Sequence, residues 1–167
     1  MKKALKIISL FLSVCLIAPV SAHEYAKDSI QLDHPWSREA PPNATVIAGF
    51  FQLKNGSSKD DFLISASTPI AERVEIHTHE MSDGMMMMKK IDSVRIGTMK
   101  TVMFQPGGYH LMIFNPKQSY QKGERFPMTL QFKHAGTIEV ELAVEANSHV
   151  HSPVSYTHLT LPTTMLV

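Results

Sequence analysis

The chain has 167 residues, 44% of them hydrophobic and 19% charged, with a formal net charge of +1 and one cysteine, Cys15. That is about one domain's worth of sequence. The near-neutral balance argues against a nucleic-acid or anionic-membrane partner held by bulk charge, and a lone cysteine excludes an internal disulfide.

The first 22 residues read as a secretory signal peptide. Lys2, Lys3 and Lys6 form a basic start, Ile7 to Val20 an apolar stretch, and Val20-Ser21-Ala22 a small-residue cleavage site. The apolar run is short for a membrane span. Cleavage after Ala22 would make His23 the first mature residue and place the protein in the periplasm. It would also remove the only cysteine and, with the three lysines, bring the formal charge to −2.

The body, 23–145, reads as strands separated by turns. Ile30 to Trp36 forms the first, and Pro41-Pro42-Asn43 a loop after it. Thr45 to Leu53 is rich in β-branched and aromatic residues and ends at Asn55-Gly56, a strong turn signal. Asp61 to Ala66 is short and apolar, and Pro69 to Arg73 has room for one helical turn at most. Arg73 to Thr78 alternates apolar and polar residues, as a half-buried strand does. Asp83-Gly84 is a turn, with Met85 to Ile91 as the returning strand. Thr101 to Phe104, Tyr109 to Phe114, Phe126 to Phe132 and Thr137 to Val144 complete the set. Many short strands without helical periodicity predict an all-β, Greek-key sandwich or barrel.

Two histidines and two methionines stand out within these strands: His77, ten residues, Met88, twenty-one residues, His110, one residue, Met112. Thioether and imidazole donors with no thiolate favour Cu(I) over hard cations. Residues i and i+2 of a strand share a face, so His110 and Met112 project together. His77 and Met88 lie on the two arms of the hairpin turned by Asp83-Gly84, where they can approach one another. A single methionine in a strand is ordinarily core filling. Here seven of the eleven methionines fall between Met81 and Met103, which that explanation does not cover. His79 and Met81 stand beside the first donor and Met85 to Met87 beside the second, so neighbouring groups can substitute as ligands.

With this spacing, the chain resembles the periplasmic copper chaperones of the PCu(A)C family. Trp36-Ser37-Arg38, Asn55-Gly56, Asp60-Asp61, Glu75-Ile-His77, Asp83-Gly84 and Gly107-Gly-Tyr-His-Leu-Met112 extend the likeness over roughly 30–145. The resemblance implies a cupredoxin-like β-sandwich holding one Cu(I) near its surface through His77, Met88, His110 and Met112. It further implies delivery of copper to cytochrome c oxidase subunit II, in oxidase assembly. No paired carboxylates, nucleophile–base motif or phosphate loop point to an enzyme. A blue-copper electron carrier would require a cysteine ligand, which the mature chain lacks. A periplasmic copper buffer or uptake protein without a dedicated oxidase partner would share the same site.

Residues 146–153 form a polar tail in which His149 and His151, spaced i, i+2, are candidate ligands for a second copper, as Cu(II). Val154 to Thr163 resembles the translation of a transposon adapter used in DNA sequencing libraries. Residues 154–167 are therefore expected not to belong to the domain.

Overall fold

The computed structural model describes residues 24–82 and 84–146. The expected signal peptide, the adapter-like segment and both tail histidines, His149 and His151, lie outside the described residues. The elements, in chain order, are β1 (Glu24–Lys27), β2 (Ile30–Arg38), β3 (Val46–Asn55), β4 (Asp61–Ser67), β5 (Arg73–Ser82), β6 (Met85–Ile91), β7 (Val94–Ile96), β8 (Thr101–Phe104), β9 (His110–Phe114), β10 (Arg125–Phe132) and β11 (Thr137–Glu145). Among the described residues there is no helix, as expected from the sequence.

The strands form one open hydrogen-bonded sheet in the order β6-β5-β9-β3-β2-β11-β10-β4-β7, with β1 paired to β2 and β8 to β3. Every pairing is antiparallel except β11 with β2, the crossover that joins the two halves. Alternation explains how the sheet encloses one core. Phe126, Met128, Leu130 and Phe132 of β10 and Ile138, Val140, Leu142 and Val144 of β11 are buried, while their neighbours face outward. Ile47, Phe51 and Leu53 of β3, Ile76 of β5 and Leu111 and Ile113 of β9 enter the same core, where Phe51 stacks on Phe104 at 4.4 Å between ring centroids. The core fixes one position by close approach: a Cβ on Gly49 would lie 3.0 Å from Leu142 Cδ2.

Two short polar motifs hold loops. The buried Asn55 donates through Nδ2 to the carbonyls of Lys59 (2.7 Å) and Ile96 (3.0 Å), and its Oδ1 accepts from the Ser57 N–H at 2.9 Å. Buried Asp61 accepts from the backbone N–H groups of Phe62, His134 and Ala135.

The segment Pro69 to Arg73, with room for one helical turn at most, is turn and bend over 69–72 and enters β5 at Arg73. Its backbone is committed elsewhere: Lys117 N–H donates to the Ile70 carbonyl and Glu72 N–H to that of Phe114. These bonds tie the segment to the chain after β9 and leave it none of the i→i−4 pattern a helix requires. His34 sits in a bulge of β2 with its Nε2 3.2 Å from Glu145 Oε1.

Candidate metal centre

The register of three adjacent strands decides which side chains meet. His77 of β5 is paired directly with His110 of β9, and Glu75 with Met112. On the other side of β5, His77 is paired with Lys90, His79 with Met88 and Met81 with Met86 of β6. Met112 is in turn opposite Ala48 of β3. Directly paired residues share a face, so Glu75, His77, His79, Met81, Met86, Met88, His110 and Met112 all lie on one face of the sheet. Ile76, Leu111 and Ile113 fill the other face and anchor the site to the core.

The four candidate donors are thus on one face of the sheet. Met88 is directly opposite His79, not His77, and lies diagonal to His77 at a spacing of roughly 7–8 Å between backbones, still within reach of a long side chain. Met112 is half-buried and Met88 is 55% exposed. The set therefore has a protected side and an open side.

The imidazoles are oriented by fixed partners. His77 Nε2–H donates to Glu75 Oε2 at 2.9 Å, which leaves the Nδ1 lone pair free. That Nδ1 is buried and has no hydrogen-bond partner, an unsatisfied acceptor of the kind native interiors avoid unless something else occupies it. His110 Nδ1–H donates to the Gly108 carbonyl at 2.9 Å, leaving Nε2 as the free lone pair. The ring centroids of His77 and His110 are 5.9 Å apart, and those of His79 and His110 5.1 Å. Burial pushes the His110 pKa down, partly opposed by the Gly108 carbonyl and reinforced by His79 and His77; the neutral form, the one that ligates, is favoured.

Glu75 is the electrostatic anchor. Its bond from His77 holds the carboxyl down at about 2, with Lys90 and Arg73 assisting, each 3.3 Å from Oε1. Arg73 also lies over the Phe114 ring, 4.0 Å from its centroid, which fixes the guanidinium between ring and carboxylate. The turn before β9 depends on Gly107, whose φ of +81° disfavours a side chain. It aims the Gly108 carbonyl at His110 and, at 3.5 Å, at His79 Nδ1. Among the described residues no three His, Cys, Asp or Glu side chains are grouped to hold a metal ion.

The family model described as putative lipoprotein LpqE-like, a PCuAC model, matches residues 30–144. The chain belongs to this PCuAC family. Protein Lxx21020 of Leifsonia xyli subsp. xyli is 28% identical over 130 residues, covering 76% of this chain and 77% of that protein. The copper-bound PCuAC domain of PmoF2 is similar at 27% identity and a TM-score of 0.65, over 74% of this chain and 98% of that one. The Cu(I) form of DR1885 from Deinococcus radiodurans is similar at 26% identity and a TM-score of 0.59, over 76% and 83% of the two chains. The all-β, cupredoxin-like architecture expected from the sequence is therefore the fold of this PCuAC domain.

In the sequence Glu75 stands out only as part of a motif and His79 only as a neighbour of the first candidate donor. In this PCuAC domain Glu75 orients His77, and His79 stands one rung beyond it against His110. The alternation Arg-Val-Glu-Ile-His-Thr-His already places residues 73, 75, 77 and 79 on one face. The Gly108 carbonyl has no such signal, because a backbone acceptor carries no side-chain identity.

Proposed function

We propose that the chain is an exported, periplasmic Cu(I) chaperone that binds the ion through His77, Met88, His110 and Met112 and passes it on by ligand exchange. The observation that carries this reading is the directly paired His77 and His110. Each has one ring nitrogen tied to a fixed acceptor and the other left free, and His77 Nδ1 is buried without a partner. Met112 follows His110 on the same face, and the similar PmoF2 and DR1885 domains are described as copper-bound and Cu(I)-bound. Export is supported by the N-terminal signal pattern and by the lipoprotein description of the family model. Among the described residues no helix is long and apolar enough to cross a membrane.

The donors are neutral, so the bound ion keeps its charge and remains attractive to an acceptor's thiolates. The protected donors His110 and Met112 retain the ion while the exposed Met88 leaves, and an incoming ligand takes its position before the imidazoles let go. Nothing is oxidised or reduced in this exchange, and the role is carriage, not catalysis. The acceptor proposed is the dinuclear copper site of cytochrome c oxidase subunit II. His149 and His151 are the donors proposed for a second ion, Cu(II).

Mixing the copper-loaded protein with apo subunit II tests the delivery role. Transfer, read as copper bound to the acceptor after the two proteins are separated anaerobically, is the expected result. Retention of copper by the donor would favour the alternative, a periplasmic buffer with the same site and no oxidase partner.

A further inference from the structure

The hairpin that carries the site ends in a concentration of thioethers that the four-donor set does not use. Met81 is 68% and Met86 62% exposed, and Met85 and Met87 are exposed beside them. Methionine normally serves as adaptable core filling, and none of these side chains fills the core. Their register is specific. Met81 is directly opposite Met86, the next pair inward is His79 with Met88, and the next position is His77 beside His110. All lie on one face, while Met85 and Met87 project from the other. Directly opposed Cβ atoms lie about 5 Å apart, and the flexible methionine side chain lets two sulfurs converge on one soft ion. Exposure falls along the series, from Met81 at the tip to His110 at 4%.

We propose that Met81 and Met86, with Met88 as a shared third thioether, form a second, outer Cu(I) site through which the inner donors are loaded. Copper is first captured by sulfur alone at the exposed end of the β5–β6 hairpin. It then moves inward as Met88 and His79 bridge the two positions: one thioether leaves as one imidazole nitrogen arrives, and the ion remains Cu(I) throughout. The second step rests on the inner site proposed above. The outer site itself does not.

The test is anaerobic titration of the purified chain with Cu(I) against a chromophoric chelator, with stopped-flow loading and X-ray absorption at the copper edge. Three variants are compared: M81L/M86L, which removes sulfur and keeps apolar bulk; M85L/M87L, its control on the opposite face; and H77A/H110A. The wild-type chain is expected to take a tight ion and a weaker one. M81L/M86L loses the weaker ion, keeps the tight one at unchanged affinity and loads it more slowly. M85L/M87L behaves as wild type, and H77A/H110A retains the weaker ion in sulfur-only coordination. Retention of the weaker ion by M81L/M86L would overturn the outer site, as would an equal loss in M85L/M87L or loss of all copper in H77A/H110A. An unchanged loading rate in M81L/M86L would overturn the loading role. If M81L/M86L loses an ion while H77A/H110A binds as wild type, the outer site stands and the inner assignment fails.

Discussion

His77 has two ring nitrogens and one protein partner, and the side of the ring that Glu75 occupies determines which nitrogen a metal can use. Ligating histidines commonly depend on such a partner, and its loss typically costs 10–100-fold in metal affinity. Glu75→Ala is therefore expected to weaken Cu(I) binding by roughly that 10–100-fold factor. Glu75→Gln, which can still accept from Nε2–H, should recover part of it in the same chelator competition. Affinity unchanged in both variants would remove Glu75 from the site. Acid should act through the imidazoles alone, because methionine does not ionise. The pKa of His110 is held below its ordinary 6.5, so it stays neutral to lower pH than a free histidine. The contribution of His110 to Cu(I) affinity is therefore expected to persist below the pH at which a free histidine would lose it, and to fall in stronger acid as a proton takes its free ring nitrogen.

At the scale of elements, the loops are held by single side chains whose removal should be costly. Asn55→Ala strips three hydrogen bonds from a buried position and leaves backbone groups of Lys59, Ile96 and Ser57 without that partner. A loss of about 2–3 kcal/mol in denaturant unfolding is expected. Asp60 gives the pH counterpart. The Thr98 N–H and then Arg95 hold its carboxyl below the ordinary 3.8. Its contribution to stability is thus present above that value and is lost as pH falls through the lower folded-state value. Asp60→Asn should be less stable than wild type at neutral pH, and the gap should close in acid, as followed by thermal unfolding.

These elements also show what the sequence could disclose. Strands β10 and β11 were legible because buried and exposed residues alternate cleanly along them. β7 was not, since three residues, Val94 to Ile96, give too short a run for periodicity. The far half of β5, 79–82, was missed because it lies at the open end of the edge hairpin. Both of its faces meet solvent there, and no apolar alternation marks it. In the site, the spacing of His77, Met88, His110 and Met112 was visible, and so was the shared face of His110 and Met112. The register was not: that Met88 opposes His79 instead of His77 depends on where the Asp83-Gly84 turn closes the ladder, and a shift of one residue would invert the faces.

For the whole molecule, core and site are the two faces of the same strands. Leu111 is fully buried between His110 and Met112 in sequence, so the packing of one side chain helps to set the position of two donors. Leu111→Ala is expected to cost about 2–5 kcal/mol of stability, measured by denaturant unfolding, and to broaden the copper site as a consequence. The proposed donors thus stand on a sheet anchored by the core, with their exposed side at the edge strand β6. The central claim, that His77, Met88, His110 and Met112 hold Cu(I), is most directly tested by anaerobic Cu(I) titration of His110→Ala and Met112→Ala beside the wild-type chain, with circular dichroism confirming that each variant is folded. Loss of the tight ion in His110→Ala and a weakened one in Met112→Ala are the results predicted; wild-type affinity in both folded variants would contradict it.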